Sequence, residues 1–446
     1  MPEQLSERLP APMSQPTLGD RVRQLRIARG LTQSALAGER FSKEYVSQIE
    51  RDKTRPTAQT IEWLAKRLGV DASFLEIGVS AGEVERIEAV ISRSEAALES
   101  NLHQEALEGL GALNGSLGAG FAPELEFRRL VAEAWGRMYL GDVRAAVGLV
   151  EQARSLAEGP RFTDVDRADA LYRLGCCRLK LSSTATAIAL FTHALELASR
   201  SGLPADRLMA HIFEWRSRCY RRQRDWEAAR EDVERSLELA EGLNDRQTIA
   251  HTYFQASILA ERTGQWVLAR SYAERAKAQY EEIADRVNVG KLLNNLGGLN
   301  FLLGKPDEAI EHLKEAFRVA LEVDSKTDAA YAISSLAQVH QRTGRHELAE
   351  DEARRALELL DGREDLIDEI GNAQLVLGRA LLEQARLAEA DQALALAETS
   401  FGRLASASHS AAVWVAQGDL ATRRGDDRTA ARLYRRAAEA LQDFSF

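Results

Sequence analysis

A short predicted helix near the N-terminus presents side chains whose groups can form hydrogen bonds with the edges of nucleic-acid bases. Its members, which share one face at helical spacing, are Lys43, Glu44, Ser47 and Gln48. Ammonium, carboxylate, hydroxyl and amide groups distinguish base pairs in the major groove. Directly after the helix come groups suited to phosphate contacts, namely Arg51, Lys53, Thr54 and Arg55. The pattern predicts a helix that reads base edges beside a segment that holds the nucleic-acid backbone.

Five short helices are predicted to position this face. Thr17 and Asp20 open the first helix, and Gly30 ends it. The other predicted helices are Gln33 to Gly38, Lys43 to Arg51, Thr57 to Leu68 and a short one that starts at Asp71. Apolar residues recur at helical spacing, so the helices are expected to share one small core. Two short helices joined by a tight turn, inside a bundle of about 60 residues, describe a helix-turn-helix.

Short runs within these helices closely resemble the phage-repressor (Xre) type of DNA-binding domain. The runs are LTQ at 31–33, LA at 36–37, YVSQIER at 45–51 and LAKRLGV at 64–70. The turn before the third helix is one residue shorter than in typical phage repressors, which resembles the variant found in bacterial regulators with tetratricopeptide (TPR) repeats. The resemblance implies DNA binding with the third helix in the major groove. The alternative is a helix-turn-helix that is kept only as a packing module.

The resemblance also assigns roles to neighbouring residues. Gln33 and Ser42 are similar to the family's phosphate contacts at helix N-termini, where backbone N–H groups add to the attraction. Tyr45 has three open roles, which are contact with a thymine methyl group, contact with a phosphate, and packing. Glu50 is expected to be internal and to pair with an arginine of the bundle.

The rest of the chain repeats one pattern of residues every 40 to 42 positions. Turn positions recur at Asn101, Gly141, Ser182, Arg224, Gly264, Gly304, Gly344, Ala385 and Gly425. Five residues after each turn lies an alanine, at 106, 146, 187, 229, 269, 309, 349, 390 and 430. Twelve residues after each turn lie Leu113, Ala153, Ala194, Ser236, Ala276, Ala316, Ala356, Ala397 and Ala437. A fixed period of this size predicts stacked helical hairpins, which bury their apolar faces only against one another.

The period resembles the TPR repeat, lengthened from 34 to about 40 residues. The small residue in the first helix of that motif is matched by Gly175, Gly297, Gly378 and Gly418. The resemblance covers residues 85–443 and implies an all-α fold. The predicted organisation is a disordered tail at 1–16, a DNA-binding head at 17–77, a linker at 78–84 and about nine hairpins at 85–446. The first hairpin contains a Gly-rich run at 109–120 and is expected to be irregular.

The TPR frame places five positions of each first helix on the concave surface of the repeats. Aromatic, amide and basic residues occupy these positions, and the candidate ligand-binding set is Tyr172, His211, Arg218, Arg222, Phe254, Arg262, Lys291, Asn294, Phe301, Tyr331, Gln338 and Arg342. Arginine can hold a carboxylate through two hydrogen bonds, and amides can satisfy a peptide backbone. The alternative is that these residues form ordinary solvated faces of long helices.

Charge and composition exclude several classes of protein. Residues 19–78 carry 11 Lys/Arg against 8 Asp/Glu, whereas residues 79–446 carry 46 against 58, as expected when only the head meets an anionic polymer. No apolar run could span a membrane, and no secretory signal pattern opens the chain. Cys176, Cys177 and Cys219 fit buried thiols of a cytoplasmic protein. The histidines lack metal-binding spacing and no nucleophile pairs with a base, so we expect no enzyme, cofactor or metal site.

Head and repeats together resemble the peptide-receptor regulators of the Rgg, PlcR and PrgX kind (the RRNPP group). The resemblance implies a quorum-sensing transcription regulator, in which a short peptide in the groove alters binding to a double-stranded DNA operator. We also expect a homodimer on a two-fold site, because one small, weakly basic head offers little affinity. Two alternatives stay open: a protein partner in the groove with the head as a DNA tether, and an anionic metabolite as the ligand.

Overall fold

The computed structural model describes residues 17–78, 80–113, 122–404 and 407–442, and within these ranges it contains helices, turns and bends but no strand. The predicted all-α fold is therefore confirmed. The predicted tail at 1–16 and most of the Gly-rich run lie outside the described residues. The chain divides into two compact units, residues 1–208 and 209–446.

The described part of the first unit begins with the five helices of the head. Their bounds are Leu18–Ala28 (α1), Gln33–Ala37 (α2), Lys43–Glu50 (α3), Ala58–Leu68 (α4) and Ala72–Ile77 (α5). Six further helices follow, which are Ala81–Glu99 (α6), His103–Gly111 (α7), Pro123–Tyr139 (α8), Val143–Ala157 (α9), Asp164–Lys180 (α10) and Thr184–Arg200 (α11). The boundary between the units falls inside Asp206–Arg222 (α12).

The second unit continues with paired helices of similar length. They are Trp226–Leu243 (α13), Arg246–Arg262 (α14), Trp266–Glu282 (α15), Arg286–Leu302 (α16), Pro306–Glu322 (α17), Lys326–Arg342 (α18), His346–Leu359 (α19), Ile367–Glu383 (α20), Leu387–Leu404 (α21), Ala407–Arg423 (α22) and Asp427–Gln442 (α23). A short 3-10 helix, Glu364–Leu366, precedes α20.

Local capping sets the helix bounds of the head. The Thr17 side chain accepts a hydrogen bond from the Asp20 N–H, and the Asp20 carboxylate accepts one from the Thr17 N–H, both at 3.1 Å. Such a capping box satisfies backbone donors that a helix start leaves free. The head core beneath these helices is apolar and contains Val22, Leu36, Val46, Ile49, Ile61, Leu64, Leu68 and Leu75. Each predicted helix start and end in the head lies within two residues of the observed one.

The nine hairpin turns share one backbone conformation. All nine predicted turn residues have a positive φ, between 58° at Ala385 and 93° at Gly141. A left-handed residue ends one helix and redirects the chain into the next, which glycine does at little cost. Asn101, Ser182 and Arg224 adopt the same conformation with side chains, so the turn geometry and not the glycine itself is what repeats.

Small side chains lie where paired helices approach most closely. The alanines five residues after the turns are buried, each with at most 4% of its surface exposed. Adding a Cβ atom to Gly297 would bring it 2.5 Å from Leu313 Cγ, and Gly378 would meet Leu394 at 2.6 Å. Gly175 and Gly418 face the rings of Phe191 and Tyr434 in the same way. At these glycines the second helix therefore rests on the first at a distance that leaves no room for a Cβ atom.

The start of the repeats differs from the predicted bounds. The Ser80 hydroxyl accepts a hydrogen bond from the Glu83 N–H at 3.2 Å and caps α6, so residues 81–84 of the predicted linker are helical. In the predicted irregular hairpin, α7 has only 9 residues, whereas α9 has 15.

All three cysteines are buried thiols, as predicted, and none of them forms a disulfide. No helix in the described part of the chain combines the length and the apolar character needed to cross a membrane.

We predict opposite effects for two adjacent glycines of α16. Gly297→Ala should destabilise the hairpin α16–α17 by about 1–3 kcal/mol, because the new methyl group overlaps Leu313. Gly298→Ala should stabilise it by about 0.5–1 kcal/mol, because nothing lies within 4 Å and alanine favours a helix.

Urea midpoints and hydrogen exchange of the amides in α16 and α17 measure both effects. Gly298→Ala is the matched control, since the two variants add the same methyl group one residue apart. Equal changes in both variants would show that helix propensity, and not the close approach to α17, decides the result.

Candidate nucleic-acid interface and repeat groove

The third helix of the head exposes the face that the sequence predicted to read bases. Lys43, Glu44 and Gln48 are exposed and Ser47 is partly exposed, whereas Val46 and Ile49 on the opposite face are buried in the head core. The Ser42 hydroxyl caps the helix by accepting a hydrogen bond from the Tyr45 N–H at 3.1 Å. Because α3 is amphipathic, only its polar face is exposed and can contact DNA.

The segment after α3 is open to solvent and connects to the same face. Arg51, Lys53 and Arg55 are exposed, and Thr54 is partly exposed. The Thr54 hydroxyl donates a hydrogen bond to Gln48 Oε1 at 3.0 Å. This contact orients the Gln48 amide and leaves its N–H groups free to donate.

A buried ion pair holds α3 against the rest of the head. Arg26 Nε lies 2.5 Å from Glu50 Oε1, and Arg26 also donates to the Leu31 carbonyl oxygen at 2.9 Å. Glu50 is thus internal and paired with an arginine, as predicted. Burial alone would raise the pKa of the Glu50 carboxyl, but hydrogen bonds from Arg26 and Gln33 hold it below its ordinary value.

Two residues near the interface have internal contacts. Gln33 Nε2 donates to Glu50 Oε2 at 2.8 Å, so one of its amide N–H groups is committed inside the head. The Tyr45 ring lies 5.3 Å from the Phe41 ring and packs on the head core. Of the three roles considered for Tyr45, packing is the one that these contacts show.

Two adjoining cavities lie in the second unit along the first helices of successive hairpins. The first, of about 590 Å³, is lined by Arg221, Arg222, Arg224, Trp226, Ile258 and Arg262. The second, of about 370 Å³, is lined by Phe254, Ile258, Gly290, Lys291, Asn294, Asn295, Asp328 and Tyr331. Ile258 belongs to both, so the cavities form one groove along α12, α14, α16 and α18.

The end of the groove at α12 is strongly cationic. Arg221 is partly buried, and burial followed by repulsion from Arg218 and Arg262 lowers its pKa to about 10. Arg218 donates to Glu214 Oε1 from Nε at 2.8 Å and lies over the Trp215 ring at 4.4 Å. Arg218 is therefore paired with a carboxylate. Arg221, in contrast, is repelled by the positive charges of Arg218 and Arg262.

The other end of the groove is polar and close to neutral. Asn295 donates to Glu261 Oε2 at 3.2 Å and accepts from the Ser257 hydroxyl at 3.1 Å. Asn294 Oδ1 is buried and has no hydrogen-bond partner. Burial, then the charge of Arg218, lowers the pKa of His251 to about 3, so this imidazole is neutral at pH 7. The amides of Asn294 and Asn295 thus line this cavity beside the charged groups of Lys291 and Asp328.

The cavities contain six of the twelve predicted ligand residues, which are Arg222, Phe254, Arg262, Lys291, Asn294 and Tyr331. Phe301 and Arg342 instead contact each other, with the guanidinium 5.6 Å from the ring. His211, Arg218 and Gln338 do not line either cavity. The prediction of Tyr172 as a ligand contact is wrong, because only 4% of its surface is exposed and it packs between Trp135 and Phe191.

Sequence reasoning missed several lining residues for identifiable reasons. Ile258 lies at a concave position of the frame and lines both cavities, but it is not in the predicted set. Arg224 and Trp226 lie at the turn and the start of α13, outside the first-helix frame. Asn295 and Gly290 lie one place from positions that the frame selects, and Asp328 lies three residues before Tyr331. Within the described residues, no group of three or more His, Cys, Asp or Glu side chains is placed to hold a metal ion.

Two known protein families match parts of the chain. Residues 17–75 match a helix-turn-helix domain family, and residues 208–282 and 288–362 match a tetratricopeptide repeat family. The chain therefore combines an N-terminal helix-turn-helix domain with TPR repeats. It is 40% identical over 60 residues to the immunity repressor protein of Bacillus phage phi105; the match covers 13% of this chain and 42% of that protein.

Solved structures show where the same overall fold occurs. The Rap protein complexed with Competence and Sporulation Factor matches with a TM-score of 0.58 and 14% identity, over 80% of this chain and 98% of that one. The apo form of the quorum sensor NprR from B. thuringiensis matches with a TM-score of 0.57 and 14% identity, over 80% and 99%. The signal transduction ATPase PH0952 from Pyrococcus horikoshii matches with a TM-score of 0.54 and 12% identity, over 96% and 72%. At these identities the similarity concerns the fold alone.

We predict that Glu50→Ala destabilises the head by about 3 kcal/mol, because it leaves the buried Arg26 guanidinium without its carboxylate. Arg26→Met/Glu50→Met should restore most of that loss, since replacing both partners leaves no unpaired charge. Hydrogen exchange of the amides in residues 17–78 of the full chain measures both variants. A double variant as unstable as Glu50→Ala would contradict this explanation.

The same pair should make head stability depend on pH. The folded state holds the pKa of Glu50 below its unfolded value of about 4.3. The pair's contribution is therefore complete above that pH and is lost as the pH falls through the folded-state value. Thermal unfolding of the head between pH 2 and 6 should show this loss in the wild type and a smaller one in Arg26→Met/Glu50→Met.

Proposed function

We propose that this protein is a sequence-specific, DNA-binding transcription regulator whose repeat groove binds a short peptide that changes its affinity for DNA. The exposed polar face of α3, followed by exposed basic residues, carries the first half of this proposal. The head has a net positive charge while the rest of the chain is acidic. That distribution favours contact between DNA and the head alone.

The head divides its contacts between base reading and backbone attachment. Lys43, Glu44, Ser47 and Gln48 face base edges, with Gln48 oriented by Thr54. Arg51, Lys53 and Arg55 contact phosphates, as does Ser42 at the N-terminus of α3. Gln33 contributes one amide N–H group to a phosphate while the other remains bonded to Glu50. The chain acts as a homodimer on a two-fold operator.

The groove supports the second half of the proposal. Its cationic, apolar and amide-bearing parts follow one another along α12, α14, α16 and α18. This order suits an extended ligand that carries anionic, apolar and hydrogen-bonding groups. The Rap structure with the same fold was determined with Competence and Sporulation Factor bound. A ligand changes DNA affinity here only if it binds more tightly to one of two states of the protein.

A second candidate function is a docking platform, in which the groove holds a protein partner and the head tethers the complex to DNA. The exposed apolar residues Trp266, Val267 and Leu268 at the start of α15 favour it, because they offer an additional surface outside the groove. In that case ligand binding and DNA binding are energetically independent.

We predict that Gln48→Ala and Lys53→Ala separate base reading from phosphate binding. Gln48→Ala should cost about 1–3 kcal/mol on the specific DNA site and little on random DNA. Lys53→Ala should weaken binding to both DNAs alike and reduce the salt dependence by about one counterion. Fluorescence anisotropy with a site selected from random duplexes, at several salt concentrations, measures these losses. Equal losses on both DNAs for Gln48→Ala would remove α3 from the base-reading role.

We further predict that the groove and the head are coupled. Peptides that co-purify with the wild-type protein, identified by mass spectrometry and synthesised, should shift the affinity for the selected DNA site. Lys291→Ala/Asn294→Ala should keep the helix content and the DNA affinity without peptide but lose this shift, because both residues line the groove.

By thermodynamic reciprocity, saturating DNA must change peptide affinity by the same factor in the wild type. Peptide affinity that is identical with and without DNA would assign the groove to the docking platform instead.

A further inference from the structure

Four arginines converge on one cavity of the second unit without a carboxylate among the described residues that line it. Arg221 and Arg222 end α12, Arg224 occupies the left-handed turn, and Arg262 ends α14. Clusters of like charge repel one another, so a fold maintains them only where another group offsets the repulsion.

The neighbouring carboxylates are already engaged. Glu214 is 1% exposed and bonded to Arg218, and Glu261 accepts a hydrogen bond from Asn295. Further along the same helix, Arg216 pairs with Asp232 at 2.8 Å. The first helix of this hairpin thus neutralises Arg216 and Arg218 by internal partners before it reaches the cavity.

Arg221 is different. Its Nη1 is buried and has no hydrogen-bond partner. A buried guanidinium donor without an acceptor is unfavourable, as is the proximity of Arg218 and Arg262, which together with burial lowers its pKa to about 10. Both costs are removed if an oxyanion enters the cavity, because a guanidinium can bind carboxylate or phosphate through two parallel hydrogen bonds.

We infer that this cavity is an oxyanion subsite, in which Arg221 and Arg262 bind the carboxylate or phosphate group of the groove's ligand. The inference rests on the proposed function in taking that ligand to be a peptide with an acidic side chain. Trp226 and Ile258 form the apolar wall against which the carbon atoms next to the anionic group pack.

The adjoining cavity determines which part of such a peptide lies over which helix. Ile258 joins the oxyanion subsite to the cavity that holds Asn294, whose buried Oδ1 lacks a partner and can accept a peptide N–H. Packed helices lie about 10 Å apart and an extended chain advances about 3.3 Å per residue, so roughly three residues cross each helix. The acidic group therefore lies over α12 and α14, and the backbone that follows lies over α16.

The test uses the full chain, two kinds of probe and three variants. Inorganic phosphate alone and paired heptapeptide pools, which contain Glu or Gln at one scanned position, are titrated by calorimetry. Arg221→Met and Arg262→Gln remove the subsite, and Arg235→Met removes one exposed positive charge elsewhere as the control. Because Arg262 is exposed, its variant keeps the test valid if Arg221→Met alters the fold.

We expect phosphate to bind the wild type and Arg235→Met with equal affinity, and at least tenfold more weakly to Arg221→Met and Arg262→Gln. The Glu pool should exceed the Gln pool at least tenfold at one position, and this preference should disappear in both subsite variants. Without any probe, Arg221→Met should melt at a higher temperature than the wild type, because it removes a partly buried charge whose Nη1 lacks a hydrogen-bond partner.

The outcomes separate the subsite from the proposed function. Phosphate binding that depends on Arg221 and Arg262, without binding of any peptide pool, keeps the oxyanion subsite and overturns the peptide ligand. Peptide binding with equal affinity for Glu and Gln pools, unchanged in both subsite variants, keeps the peptide ligand and overturns the subsite. Phosphate binding that is the same in all four proteins also overturns it.

Discussion

The close approach of paired helices is the constraint on which the rest of this structure depends. Neither helix of a hairpin can bury its apolar face alone, and the second can rest on the first only where alanine or glycine leaves room. Because packing uses that face, the opposite face of a first helix is freer, although some of its residues, such as Tyr172, are also buried. The groove residues lie on this free face, and so the spacing of small residues in the core decides where functional side chains can be placed.

Much of this organisation could be predicted from the sequence, because it is encoded locally. The alanines and turn residues repeat at fixed spacing, and threonine, serine and aspartate caps mark the head helices to within one residue. The groove was predicted only in part, because it depends on side chains from separate hairpins. Tyr172 and Tyr331 are both selected by the same repeat frame. Trp135 and Phe191 cover Tyr172, whereas Tyr331 lines a cavity. The sequence of a single repeat does not show which residues of neighbouring helices will cover an aromatic side chain.

Arginines in the interior of this protein have two different environments, although their charge is the same. Arg26 is buried with Glu50 and fixes the position of α3, and Arg216 is buried with Asp232 between helices of one hairpin. These pairs stabilise a particular arrangement because breaking either one leaves a buried charge. Arg221 has no such partner for its buried Nη1. The pairing of charges therefore distinguishes arginines that maintain the fold from one that is available to a ligand.

The uniform backbone of the hairpin turns has an evolutionary consequence. Because each turn closes in the same left-handed conformation whether its residue is Gly304, Ala385 or Arg224, a whole hairpin can be duplicated or deleted in the gene without a new kind of junction. The groove restricts where such events are tolerated, since its lining runs from Arg221 on α12 to Tyr331 on α18. Insertion of a hairpin inside that interval separates residues that share one cavity, whereas insertion after α19 leaves them together. Only insertions or deletions outside the interval from α12 to α18 therefore preserve the cavities.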